Sequence, residues 1–135
     1  MTMTLKQKVQ FDLPPNKLYK FYMDAELHGK LTDGKVKISK EPGSAFSAWS
    51  GALKGKTLYT KPNSVIAQTW RAKDWNKATS DSILVLMFHE SETGTELEMV
   101  HTNLPEKHAD DVKQGWKQYY WKPWKKHIQT RASRT

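Results

Sequence analysis

Residues 105–130 read PEKHADDVKQGWKQYYWKPWKKHIQT, a proline-led segment carrying five Trp and Tyr rings. Pro105 suits the first turn of a helix, where its missing amide would have had no partner anyway. Asp110 and Asp111 come early and Lys125, Lys126 and His127 late, the charge order that complements a helix macrodipole. At about 100° per residue, Ala109, Val112, Trp116, Tyr119, Tyr120 and Pro123 form one stripe. Trp121, Trp124 and Ile128 form a second, a third of a turn away. A continuous helix over 105–130 would be about 39 Å long. A kink is expected at Pro123, which cannot supply the amide that the Tyr119 carbonyl needs. Rings of this size on one side of a helix need a broad apolar surface to receive them.

The preceding residues supply it. Leu5, Gln7, Val9 and Phe11 alternate with Thr4, Lys6, Lys8 and Gln10, which is the pattern of a strand with one wet face. Pro14-Pro15 ends that strand, and Leu18, Phe21 and Tyr22 mark a short amphipathic helix from Asn16 to about Met23. His28-Gly29 and Asp33-Gly34 are expected to break the chain beyond this helix, after at most a second helical turn near Glu26 and Leu27. From residue 35 to 104 short strands take over: around Val36 and Ile38, Phe46 to Trp49, Ala52 to Thr60, Val65 to Arg71, Asp81 to Glu90 and Glu96 to Thr102. Turns at Glu41-Pro42-Gly43, Ser50-Gly51, Lys61-Pro62-Asn63 and Glu92-Thr93-Gly94 join them into a meander. Gly55 inside its strand predicts a bulge or bend. The expectation is one α+β domain over 1–135: a curved antiparallel sheet of six or seven strands around the C-terminal helix, with a frayed tail at 130–135.

Composition narrows the function classes. The chain has 135 residues, enough for one core, and no cysteine, which removes disulfides, thiolate metal sites and a cysteine nucleophile. No apolar run is long enough to span a membrane, and Met1-Thr2-Met3-Thr4-Leu5-Lys6 lacks the apolar stretch of a signal peptide, so the cytoplasm is the expected compartment. Twenty-two Lys and Arg against 14 Asp and Glu give a net charge of +8, suited to acidic partners. Nineteen of the cations are lysines, which argues against base reading, where arginine dominates. Nucleic acid is a weak expectation also because the helix aromatics should be buried and not free to stack on bases.

The runs Thr102-Asn103-Leu104-Pro105-Glu106-Lys107-His108-Ala109-Asp110 and Gln114-Gly115-Trp116-Lys117-Gln118-Tyr119-Tyr120-Trp121-Lys122-Pro123 resemble the activator of heat-shock protein 90 ATPase homologue family. Phe46-Ser47-Ala48-Trp49-Ser50-Gly51, Gln68-Thr69-Trp70-Arg71 and Asp74-Trp75 are similar to the same family, so the resemblance covers nearly the whole chain. It implies the START-like (SRPBCC) helix-grip fold, a sheet wrapped around a long C-terminal helix with a cavity between them. In eukaryotic activators the module is the C-terminal domain of a longer co-chaperone whose N-terminal domain makes the main chaperone contact. Here the first strand begins at the first residue, so that domain is expected to be absent. Relatives across the superfamily bind lipids, polyketides or other apolar molecules in the cavity.

Candidate chemistry is sparse. The five histidines, 28, 89, 101, 108 and 127, show no metal-ligand spacing, and no metal or cofactor is expected. Gly55-Lys56-Thr57 lacks the first glycine of a phosphate loop, since Ser50 occupies that position. Aromatic residues from distant segments are the main hint. Phe21, Trp49, Trp70, Phe88, Met99, Trp116 and Tyr120 are expected to line a ligand cavity, with His101 as the polar group that orients the ligand. The same residues also describe a filled core, and the alternatives differ only in volume. Three functions are therefore expected as alternatives: a non-enzymatic domain that binds a small apolar ligand, a co-chaperone-like module docking on an acidic chaperone through its lysines, and a small cyclase or hydrolase with His101 as base. Ile83, Val85 and Met87 form an apolar row on the outer sheet face, which suits a homodimer.

Overall fold

Period-two alternation makes β1 (Thr2–Phe11), whose inward side chains end in the buried Phe11. The computed structural model describes residues 1–133, with side chains as far as residue 130. Two helices come after β1. α1 (Pro15–Met23) has proline at its first position and buries Leu18, Tyr19, Phe21 and Tyr22. α2 (Ala25–Thr32) is capped by Asp24, whose carboxylate accepts from the Leu27 amide at 3.1 Å. The second helix is longer than the expected turn, because His28-Gly29 does not break it. His28 is fully buried, and the helix ends only at Asp33, in the left-handed conformation at φ 58°.

The chain then enters the sheet at the far edge and returns strand by strand. β2 (Val36–Lys37), β3 (Ala45–Ala48), β4 (Leu53–Lys61), β5 (Val65–Ala72), β6 (Ser82–Ser91) and β7 (Gly94–Pro105) complete one seven-stranded antiparallel sheet in the order β1-β7-β6-β5-β4-β3-β2. The meander therefore ends beside β1, and Leu5 faces His101 across that pair. Gly55 admits the Thr69 carbonyl, which would lie 1.8 Å from a side-chain Cβ, and the register shift itself falls between Thr57 and Tyr59. Leu84, Leu86, Phe88, Leu97, Met99 and His101 point inward and are buried. Ile83, Val85 and Met87 are half-buried on the outer face, where Val85 lies between Ala67 and Val100.

The C-terminal rod crosses the concave face as α3 (Ala109–Trp116), a π-helical turn (Lys117–Trp121) and α4 (Lys122–Ser133). This winding resolves the two aromatic stripes. In a regular α-helix Trp116 and Trp121 would be about 140° apart around the axis. The i→i+5 turn, closed by the Lys122 amide on the Lys117 carbonyl, reduces that angle. The two indoles stack at 5.3 Å with 18° between planes. Trp116, Tyr120, Trp121 and Trp124 all become buried, while Tyr119 is turned outward and stays 47% exposed. Pro123, expected to kink the helix, stands instead just past the π turn, in the first turn of α4. Of the tail expected at 130–135, Thr130 to Ser133 continue α4, and residues 134–135 lie outside the described residues. No helix among the described residues is long and apolar enough to cross a membrane.

Candidate functional site

Where α3 leaves the sheet near the β4 and β5 ends, the packing opens into a cavity of about 390 Å³. Trp49 and Leu53 form one wall, Trp70 and Ala72 of β5 the floor, and Trp75 with Asp74 the β5–β6 side. The helix contributes His108, Asp111, Val112, Gly115, Trp116, Tyr119 and Tyr120. The sheet provides the stiff side, and the helix aligns residues 108, 111, 112, 115, 116 and 119 along one face at spacings of three and four.

Trp49 is held under strain. Its φ is 49°, a left-handed conformation rare for a bulky residue, and Ser50 comes next at 54°. Two features fix it: Trp49 Nε1 donates to the Thr32 carbonyl at 3.2 Å, and the ring lies over Gly34, where a Cβ would come within 2.2 Å of it. The close approach explains the glycine after Asp33.

Behind the cavity wall lie two polar relays, the first closed and the second ending at Gln68, whose Nε2 has no hydrogen-bond partner among the described residues. Trp116 Nε1 can only donate, so its 3.1 Å bond to His101 Nδ1 places the His101 proton on Nε2. That nitrogen donates to Ser82 Oγ at 2.8 Å, and the Ser82 hydroxyl donates to the Trp70 carbonyl at 2.6 Å. His28 has the opposite tautomer: Nδ1 donates to the Tyr22 carbonyl at 2.8 Å, and Nε2 accepts from the Tyr120 hydroxyl at 2.9 Å. Tyr22 in turn donates to Gln68 Oε1. Burial pushes His28 down to about 4, against which its bond to Tyr22 acts weakly, and pushes His101 down to about 3. Burial raises the Tyr22 hydroxyl, with Tyr120 adding to it, and raises Tyr120 by itself.

The structure thus divides the expected site. Trp49, Trp70, Trp116 and Tyr120 line the cavity together. His101 stands one layer behind, 4.8 Å from the Trp70 ring, with both nitrogens committed to protein groups. Phe21 packs on Trp124 and His127, Phe88 on Tyr19, and Met99 is fully buried opposite Leu86, so these three belong to the core away from the cavity. Sequence reasoning did not place Asp74, Asp111 and Gly115 in the site. Gly115 carried a signal: a glycine in a helix interior costs about 1 kcal/mol against alanine, so it calls for a reason in packing or function. Among the described residues no three His, Asp or Glu side chains converge as a metal site.

The family model for Activator of Hsp90 ATPase homolog 1-like protein matches residues 12–128. The chain belongs to this family. Members similar to it include the Activator of 90 kDa heat shock protein ATPase homolog of Dictyostelium discoideum, 28% identical over 116 residues, or 86% of this chain and 30% of that protein. The mouse Activator of 90 kDa heat shock protein ATPase homolog 1 is 28% identical over 119 residues, 88% of this chain and 35% of that one. This member of the family therefore spans about a third of the length of the curated relatives it matches. Among solved structures, an HSP90 activator from Plasmodium falciparum superposes with a TM-score of 0.79 at 24% identity, covering 87% of this chain and 90% of the other. Ara h 8.0201 gives 0.77 at 16% identity, covering 96% and 99%. Those likenesses establish the helix-grip fold of the chain.

Proposed function

We propose that the chain is a binding domain that holds a small, largely apolar molecule in the cavity between α3 and the β4–β5 end of the sheet. The observation that carries this reading is Gly115. A Cβ built there meets nothing closer than Tyr119 Cδ2 at 3.9 Å, so alanine would fit and would favour the helix. The position lines a cavity of about 390 Å³. Space kept empty at the expense of helix stability supports a resident molecule, as does the strained Trp49 on the opposite wall. The neutral, fully bonded His101 supports binding over acid–base chemistry, because neither ring nitrogen is left to accept a proton from a ligand.

Two substitutions at one position test this. Gly115→Ala is expected to stabilise the fold by about 0.5–1 kcal/mol in urea unfolding, with the cavity nearly unchanged. Gly115→Leu projects into the cavity, and is expected to fold while losing an organic ligand that co-purifies with the wild-type chain under native mass spectrometry. Equal retention by both variants would remove the cavity from consideration.

A second reading, a co-chaperone module, is favoured by the likeness to ATPase activators over 116 residues and by the exposed lysines 113, 117, 122, 125 and 126 of the C-terminal helix. On that reading the chain alters the ATPase rate of a 90 kDa heat-shock protein in a salt-sensitive way, and Gly115→Leu leaves the effect intact. An unaltered ATPase rate at low salt would dismiss it.

A further inference from the structure

We infer that the occupant of this cavity is an organic cation, with a substituted ammonium group seated among the aromatic rings. The inference rests on the ligand-binding reading above and assigns its chemical class. The chain has a net charge of +8, yet among the described residues no lysine or arginine lines the cavity. The ionisable side chains on its lining, the tyrosines aside, are two carboxylates, Asp74 and Asp111, and one imidazole, His108. Neither carboxylate has an ion-pair partner among the described residues. The nearby cations Lys54, Arg71, Lys73 and Lys77 line a separate depression that shares Ala72 and Trp75 with it. Both aspartates are exposed, one in the β5–β6 connection and one on the helix, and they face a common space.

The ring geometry agrees. Trp49 meets Tyr119 at 5.6 Å and 70°, and Tyr120 at 6.0 Å and 87°. Trp70 and Trp75 meet at 5.6 Å and 61°. Rings set steeply to one another form corners, while His108 stacks on one face of Trp75 at 5.6 Å and 18°; an object in the cavity can still meet ring faces from more than one direction. The π face of an indole or phenol attracts cations, most strongly where water is excluded. Carboxylates at the rim add to that attraction and draw cations towards an otherwise basic protein. An anionic group seated between Asp74 and Asp111 would instead be repelled by both carboxylates.

Three probes of similar size separate the outcomes: phenyltrimethylammonium, its uncharged isostere tert-butylbenzene, and benzenesulfonate. Each is titrated into the full chain while the indole N–H signals are monitored by NMR. The cation is expected to bind about ten-fold more tightly than the isostere, and benzenesulfonate more weakly than either. Exchanging both carboxylates, Asp74→Asn with Asp111→Asn, is expected to lower the cation's advantage several-fold and leave tert-butylbenzene unchanged. An unaltered advantage in that variant would overturn the role of the aspartates. Equal binding of cation and isostere, both abolished by Gly115→Leu, would overturn the cation inference and leave the cavity reading standing. No probe response that Gly115→Leu removes would overturn both.

Discussion

Trp116→Ala is expected to be the most damaging single substitution on the C-terminal helix, costing about 3–5 kcal/mol of stability. The indole is 2% exposed, stacked on Trp121 at 5.3 Å and in contact with Tyr120 at 4.6 Å and Trp70 at 6.4 Å. Truncation empties the junction of helix and sheet, and the rings around it cannot all collapse into the gap. It also strands His101 Nδ1, a buried acceptor whose hydrogen-bond donor is the Trp116 N–H. Trp116→Phe separates the two contributions, because it keeps most of the ring and removes the donor; its expected cost is about 1–3 kcal/mol. Urea unfolding of the two variants gives the ranking. Against a total stability of about 5–15 kcal/mol for a domain of this kind, the alanine variant should be partly unfolded or close to it. If both variants cost less than about 1 kcal/mol, the clasp of sheet on helix does not hold the molecule together.

The same tryptophan is legible in the sequence. Its place on a helical stripe follows from spacing alone, and the structure buries it. Period-two and near-four patterns report burial directly, and turn residues report where strands end. The order of strands became legible because a meander brings each one beside its predecessor. The π turn was not legible: Lys117–Trp121 has no residue that demands it, and it arises because Trp116, Tyr120, Trp121 and Trp124 gain more by facing inward together than a regular helix allows. His28 was misread as part of a helix break because its neighbour is glycine, whereas tertiary bonds to Tyr22 and Tyr120 hold it in α2.

The candidate site was half legible for a related reason. Aromatic residues that wall a cavity and aromatic residues that fill a core have the same composition and the same periodicity. Phe21, Phe88 and Met99 could be told from Trp49 and Trp70 only by position along the sheet. The core side lies where α1 and α4 cover the strands, and the open side where the β5–β6 connection rises past the sheet end. Polar rim residues such as Asp74 and Asp111 look like ordinary turn and helix-start residues in sequence. Only the fold places them against the same volume.

Acid is expected to weaken the protein well above the range where carboxylates protonate. His28 and His101 are neutral in the folded chain until about pH 4 and about pH 3, whereas in the unfolded chain each takes a proton near its ordinary 6.5. Below pH 6.5 the unfolded state binds more protons, so stability falls as pH falls. The loss starts near 6.5, runs at about 1.4 kcal/mol per pH unit per histidine, and stops only when the folded residues also protonate. Full stability from this source is therefore present above pH 6.5. By about pH 5 the two residues together should have removed about 4 kcal/mol, enough to bring a marginal domain near its midpoint. Urea unfolding at about pH 7.5, 6 and 5 measures the slope. His101→Gln keeps groups able to accept from Trp116 and donate to Ser82 but cannot be charged, so it should halve the slope whatever it does to stability at neutral pH. A flat profile between neutrality and about pH 5, or the same slope in the glutamine variant, would show that these rings are protonated in place, which would mean that water reaches them. Such access would undo the assignment of His101 as a closed structural relay behind the cavity wall, and would return it to the groups able to meet a ligand.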